Sequence, residues 1–209
     1  MTLSETLKPL PLVAVLRGIS PPEVDGVADA LTGAGFRVLE VTLNSPRPLE
    51  SIRALAARCG EHCLVGAGTV IDPADVARVR EAGGRLIVMP HADVAVIREA
   101  KRQGLVCIPG VATPTEAFAA LAAGADALKM FPAEALPPSA LKAWRAVLPR
   151  ETLVFAVGGM RPDNLGPYWE AGADGFGTGS NLYKPGASVD TVREAAGAYA
   201  RGIGALPRR

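Results

Sequence analysis

The feature that most restricts this chain is a unit repeated along its length: a short apolar run closed by Gly or Pro, then an Ala/Leu/Arg/Glu-rich stretch ending just before the next run. Several of the stretches end in Ala-Gly: Ala34-Gly35, Ala82-Gly83, Ala123-Gly124 and Ala171-Gly172. Glycine at such a place permits the left-handed stop of a helix. Eight apolar runs are predicted as strands, near Leu12–Leu16, Val38–Leu43, Cys63–Ala67, Leu86–Met89, Leu105–Ile108, Ala127–Met130, Val154–Val157 and Gly175–Gly177. Short, continuously apolar runs suit parallel strands covered on both faces. Helix starts are predicted where a capping residue precedes Pro, at Ser20-Pro21-Pro22-Glu23, Asp72-Pro73 and Thr113-Pro114-Thr115-Glu116, and another at Arg161-Pro162-Asp163-Asn164. The Thr113 start also has capping-box spacing.

Eight strands alternating with helices, with no long linker, predict an α/β fold: a single (β/α)8 TIM barrel over residues 1–209 with a short N-terminal helix. The competing fold is an open doubly wound sheet, which would carry a Gly-rich phosphate turn after the first strand. Here that strand ends in Leu16-Arg17-Gly18-Ile19, and the Gly-rich turns come late.

Composition excludes several function classes. Twenty-two basic and 21 acidic residues leave a net charge of +1, with no basic block, so no nucleic-acid partner is expected. No apolar run is long enough to span a bilayer, so no membrane partner is expected either. Met1-Thr2-Leu3-Ser4-Glu5 lacks a signal-peptide pattern, and a cytoplasmic location is expected. Three cysteines, Cys59, Cys63 and Cys107, fit a reducing compartment. Two of them, with only His62 and His91 nearby in kind, fall short of the four ligands a structural zinc takes, so no metal is expected.

In such a barrel the chemistry gathers at the C-terminal ends of the strands. Those ends offer Arg17, Glu40, Gly66-Ala67-Gly68-Thr69, Met89-Pro90-His91, Lys129, Gly158-Gly159 and Gly177-Thr178-Gly179-Ser180. Lys129 is the sharpest of these, because it lies inside the apolar run Ala127-Leu128-Lys129-Met130. Pointing into the barrel, it would be desolvated and its pKa lowered. Catalytic lysines are tuned to roughly 7–8, from about 10.4 in water, and a neutral amine can attack a ketone to form an imine. Local sequence leaves open a lysine on the outer face, snorkelling between helices.

Glu40, flanked by β-formers, could shuttle protons beside an amine; it could equally pair with Arg37 or Arg17. The planar fork of Arg17 suits a substrate carboxylate. The two late Gly turns could present backbone N–H groups to a phosphate, although tight turns need Gly for their own reasons. His91 reads as a surface group or cap, Tyr168-Trp169 as helix packing, and the cysteines as core or surface thiols.

Together, Leu16-Arg17-Gly18, Glu40-Val41-Thr42-Leu43-Asn44-Ser45-Pro46, Gly66-Ala67-Gly68-Thr69-Val70, Lys129-Met130-Phe131-Pro132 and Val157-Gly158-Gly159 resemble the class I 2-keto-3-deoxy-6-phosphogluconate / 6-phosphogalactonate aldolase family. The resemblance runs over essentially the whole chain. Asn44-Ser45, where the gluconate branch has Arg-Thr or Arg-Ser, and Val157, where that branch has Thr, look closer to the phosphogalactonate branch. Met89-Pro90-His91 departs from the family's usual Thr/Ser-Pro followed by Asn or Gly, which bears on fine specificity.

The resemblance implies reversible cleavage of 2-keto-3-deoxy-6-phosphogalactonate to pyruvate and D-glyceraldehyde 3-phosphate, through a Schiff base on Lys129 with Glu40 as proton shuttle. Arg17 and Thr69 would hold the pyruvyl carboxylate, Pro90 and Phe131 would wall the pocket, and Val157 would face the sugar carbons. Gly158, Gly159, Gly179 and Ser180 would cradle the phosphate. No cofactor is implied, the partners are the small-molecule substrate and pyruvate, and a homotrimer is expected. The alternatives are the same reaction on the C4 epimer, 2-keto-3-deoxy-6-phosphogluconate, or a non-imine phosphate-binding barrel isomerase or synthase. A metal-dependent aldolase and a non-catalytic phosphosugar-binding barrel complete the field.

Overall fold

A computed structural model describes residues 3–207. Strand segments β1 (Leu12–Leu16), β2 (Val38–Thr42), β3 (Leu64–Gly68), β4 (Leu86–Val88), β5 (Val106–Ile108), β6 (Gly110–Val111), β7 (Leu128–Met130), β8 (Val154–Val157) and β9 (Gly175–Thr178) are all parallel. They pair in the order β5-β4-β3-β2-β1-β9-β8-β7-β6. The terminal members of that series, β5 and β6, are separated in the chain by Pro109 alone. They are halves of one strand position, and the ring closes through them. Proline has no N–H to donate, so the ladder breaks there. β5 pairs with β4 and β6 with β7, while the Pro109 carbonyl accepts from Lys129 N at 2.9 Å. The expected fifth strand stopped at Ile108; the structure adds Gly110–Val111 beyond the proline.

The α-helices are α1 (Leu3–Leu7), α2 (Val24–Gly33), α3 (Pro48–Cys59), α4 (Pro73–Glu81), α5 (Val94–Arg102), α6 (Pro114–Ala122), α7 (Pro138–Arg145), α8 (Leu165–Glu170) and α9 (Val189–Gly204), with short 3-10 turns at Pro21–Glu23, Gly60–His62 and Ala133–Ala135. The expected capping box opens α6, where Thr113 Oγ1 accepts from Glu116 N and a Glu116 carboxylate oxygen accepts from Thr113 N. Asp72 caps α4 through Ala74 N. Gly35, Gly83, Gly124 and Gly172 all have φ between 87 and 110°, as the Ala-Gly repeat requires.

Two expected starts differ. Residues 21–23 form a single tight turn before α2, and α8 begins at Leu165 rather than at Arg161. Asn164 explains the second shift. Its side chain accepts from Arg161 N and donates to the Gly159 carbonyl, which ties 159–164 into a turn.

Strand parity divides the apolar residues in two. Leu12, Ala14, Leu16, Leu39, Val41, Leu128, Met130, Val154 and Ala156 face the helix layer and join the larger core. Val13, Val38, Leu64, Leu86, Val88, Ile108 and Phe155 fill the barrel interior. Leu3 and Leu7 of α1 belong to that interior cluster, so the N-terminal helix plugs the barrel floor. Among the described residues no helix is long and apolar enough to cross a membrane.

Candidate active site

The same parity selects the polar residues that enter the barrel. In β2, Val38 is interior while Leu39 and Val41 face the helices, so Glu40 points inward. In β7, Leu128 and Met130 face the helices, so Lys129 points inward too. Both side chains are buried, Glu40 at 1% exposure and Lys129 at 6%. The snorkelling alternative for Lys129 is thereby removed. Glu40 and Lys129 line a void of about 10 Å³ with Val13, Val15, Val88, Ile108, Phe155, Val157 and Gly177. It is room for about one water.

Burial pulls the Lys129 ammonium pKa down; Glu40 works against that shift and Arg17 with it. Burial pushes the Glu40 carboxyl up, against the attraction of Lys129 and Arg17. Desolvation therefore dominates both groups, holding the amine toward its neutral form and the carboxyl toward its protonated one. The Lys129 Nζ stands 4.7 Å from the Phe131 ring centroid. Glu40 Oε2 has no hydrogen-bond partner, an expensive state for a buried oxygen unless the site uses it.

Gly68 makes room for this carboxylate. A Cβ there would lie 2.5 Å from Glu40 Oε1 and 2.8 Å from its Cδ. Arg37 does not pair with Glu40; its guanidinium donates to the Thr32 and Phe36 carbonyls. Arg17 acts on Glu40 through space, while its Nη1 donates to Asn44 Oδ1 at 3.2 Å. The next residue joins the same bridge, because Ser45 Oγ accepts from Gly18 N at 2.8 Å and lies 3.0 Å from Thr42 Oγ1. Asn44-Ser45 thus braces the Arg17-Gly18 turn from the end of β2.

Above Lys129 opens a cleft of about 520 Å³. Its walls include Arg17, Lys129, Phe131, Val157, Gly158, Gly159, Gly179 and Ser180, which are eight of the eleven expected site residues. Glu40 lies in the void beneath, which Lys129 and Val157 share. Thr69 and Pro90 stand at the ends of β3 and β4 but do not line the cleft, whose walls come from the β1, β7, β8 and β9 side. Thr69 has φ +58°. For a β-branched residue that conformation is strained, and strain of this kind collects at functional sites.

Gly158 and Gly159 have φ of 108 and 66°, conformations that favour glycine. Among the described residues, no hydrogen bond within the chain engages the N–H of Gly159 or Ser180. Both are free to meet an anion in the cleft. The His91 side chain is exposed and outside the cleft. Tyr168 donates to the Ala133 and Leu136 carbonyls, so it packs and pins the loop after β7.

A family model described as KDPG and KHG aldolase matches residues 3–193. The chain belongs to this aldolase family. It is 50% identical over 186 residues to a probable 2-dehydro-3-deoxy-6-phosphogalactonate aldolase of Rhizobium meliloti (strain 1021), covering 89% of this chain and 88% of that one. It is 46% identical over 192 residues to the 2-dehydro-3-deoxy-6-phosphogalactonate aldolase of Escherichia coli (strain K12), covering 92% and 94%. A solved structure described as native KDPGal superposes with a TM-score of 0.91 at 46% identity, over 93% of this chain and 94% of that one.

The aldolase cleft also contains residues that motif reading passed over: Glu134, Met160, Asn181, Tyr183, Lys184 and Pro185. Glu134 reaches across to Gly159, where an added Cβ would lie 2.7 Å from its Oε2. Lys184 adds a second exposed cation to the rim beside Arg17. Each sits in a loop just after a barrel strand. Scanning every residue in those segments, rather than motif residues only, would have found them.

Proposed function

We propose that the protein is a class I aldolase that reversibly cleaves 2-keto-3-deoxy-6-phosphogalactonate to pyruvate and D-glyceraldehyde 3-phosphate. The observation that carries this reading is a desolvated lysine sharing a buried chamber with a carboxylate that has an unpartnered oxygen. The Lys129 amine attacks the C2 ketone, and loss of water leaves a protonated Schiff base. Glu40 gives its proton to the hydroxide leaving the carbinolamine and, now a carboxylate, takes the C4 hydroxyl proton; the C3–C4 bond breaks, and its electron pair enters the imine as an enamine. Glyceraldehyde 3-phosphate leaves. Protonation at C3 and hydrolysis then release pyruvate and free the amine. Arg17 holds the pyruvyl carboxylate, Phe131 keeps the chamber dry, and Gly158, Gly159, Gly179 and Ser180 receive the phosphate, while Thr69 and Pro90 border the mouth from the ends of β3 and β4, off the cleft wall.

The galactonate configuration is supported by Val157 on the cleft wall and by Asn44 bound to Arg17, together with the names of the relatives above. The proposal extends to the setting: one barrel domain over residues 1–209, acting in the cytoplasm as a homotrimer. Sedimentation should then give a mass of about 65 kDa, three times the 21.6 kDa chain.

Borohydride reduction with pyruvate, followed by intact mass and peptide mapping, tests the mechanism. A pyruvate-sized adduct on Lys129, absent from a folded Lys129→Ala variant that no longer turns over, is the expected outcome. A folded protein that binds pyruvate without forming an adduct would move Lys129 to an electrostatic role and favour a non-imine barrel reaction.

A further inference from the structure

The chain after β9 runs nine residues, 179–187, without regular structure before the cap of α9 at Ser188. This loop supplies Gly179, Ser180, Asn181, Tyr183, Lys184 and Pro185 to the cleft wall. Short-range bonds shape it locally: Leu182 and Tyr183 N–H donate to the Gly179 carbonyl, and Ala187 N–H donates to that of Lys184. Its attachment to the turn after the neighbouring strand β1 is long-range in sequence and centres on one carboxylate. Glu23 Oε1 accepts from Tyr183 Oη at 2.7 Å and from Gly186 N at 2.9 Å. Glu23 Oε2 accepts from Ser20 N at 2.9 Å and from Ser20 Oγ at 2.5 Å. Four donors thus fill the roughly four lone-pair sites of one carboxylate. Two come from the β1 turn that carries Arg17 and Gly18, and two from the β9 loop. At the same junction Pro185 presses on Gly18, where an added Cβ would lie 2.6 Å from its Cγ.

We propose that Glu23 is a positioning residue for phosphate recognition, a clasp that fixes the β9 loop against the Arg17 turn so that the phosphate-facing groups keep their spacing. Glu23 is not among the cleft-lining residues and touches no reacting atom. The inference rests on the reading that this end of the cleft receives the substrate phosphate. Four hydrogen bonds outweigh the cost of burial and hold the carboxyl at about 2, so the clasp is ionised at neutral pH. A glutamine cannot replace it, because its amide group is a donor on one side. Whichever way that amide turns, it faces the N–H of Ser20 or of Gly186, and one backbone donor loses its acceptor.

The test compares aldol addition of pyruvate to D-glyceraldehyde 3-phosphate and to unphosphorylated D-glyceraldehyde, in wild type, Glu23→Gln and Tyr183→Phe. The expected result for Glu23→Gln is a rise of about tenfold in KM for the phosphorylated aldehyde, with kcat within twofold. KM for the unphosphorylated aldehyde and the rate of borohydride trapping with pyruvate stay at wild-type values. Tyr183→Phe, which removes one of the four bonds, shifts the phosphorylated KM in the same direction by less. Equal losses with both aldehydes, or no change with either, overturn the clasp. Should Glu23→Gln not fold, an unchanged phosphorylated KM in Tyr183→Phe overturns it instead. A wild type that does not favour the phosphorylated aldehyde sinks the phosphate reading itself, and the clasp falls with it.

Discussion

Gly68→Ala probes the carboxylate proposed as the proton shuttle without altering any group assigned a chemical role. The added Cβ would stand 2.5 Å from Glu40 Oε1, against an ordinary contact of at least 3.4 Å. The carboxylate must therefore retreat by about 0.9 Å. Gly68 does not have positive φ, so alanine adds no backbone strain. The void of about 10 Å³ beside Glu40 gives the carboxylate somewhere to go, which keeps the stability cost small, about 1 kcal/mol.

Catalysis is less forgiving. A displacement of about 1 Å from productive geometry costs on the order of a hundredfold in rate. We expect kcat for aldol cleavage, followed by coupled reduction of the pyruvate released, to fall about a hundredfold while the melting temperature drops by only a few degrees. Pyruvate should still be trapped on Lys129, since the amine is untouched. A folded Gly68→Ala enzyme with kcat within threefold of wild type would show that the position of Glu40 is not critical, and would remove it as the proton shuttle.

Two further outcomes follow from the same site. Val157→Thr places a hydroxyl on the cleft wall near Lys129, so the ratio of kcat/KM between the galactonate and gluconate epimers should move toward gluconate by about tenfold; an unchanged ratio in a competition assay refutes Val157 as a determinant. The double variant Lys129→Met/Glu40→Gln should be inactive yet more stable by about 1–2 kcal/mol, read as a rise of several degrees in thermal melting. Burial raises the Glu40 pKa, so at neutral pH the folded state bears a cost that the unfolded state does not. That part of the gain fades as pH falls toward the ordinary carboxylate value of 4.5 and is gone below it, where Glu40 is protonated in both states. The Lys129 pKa is lowered, so its cost persists at low pH and fades only as pH rises toward lysine's ordinary 10.5. A double variant that melts below wild type at pH 7 refutes this reasoning.

Much of the architecture was legible from periodicity because each strand–helix unit carries its own punctuation. Ala-Gly stops, Pro-containing starts and short apolar runs are local signals, and they located the eight strand positions and the barrel. The inward course of Glu40 and Lys129 was not legible in this way, because both faces of each strand are apolar; the structure decided it by turning Leu128/Met130 and Leu39/Val41 toward the helices. What local signals could not show were contacts that depend on closure. Pro109 divides the fifth strand position between two neighbours, a role defined only when β4 and β7 flank it. The start of α8 moved because Asn164 bonds back to Gly159 and Arg161.

The functional site divides along the same line. Sequence by itself determined which chemistry is present: an amine and a carboxylate in apolar strands, an arginine at the end of β1, glycines after β8 and β9. Tertiary structure alone decided how these groups act on one another. It buried Lys129 and Glu40 together, set Gly68 against the carboxylate, bound Arg17 to Asn44, and joined Glu23 to Tyr183 and Gly186 across 160 residues of chain. Desolvation and hydrogen-bond geometry depend on distances between residues far apart in the chain. Those distances exist only after the barrel closes and brings the ends of its strands around one mouth.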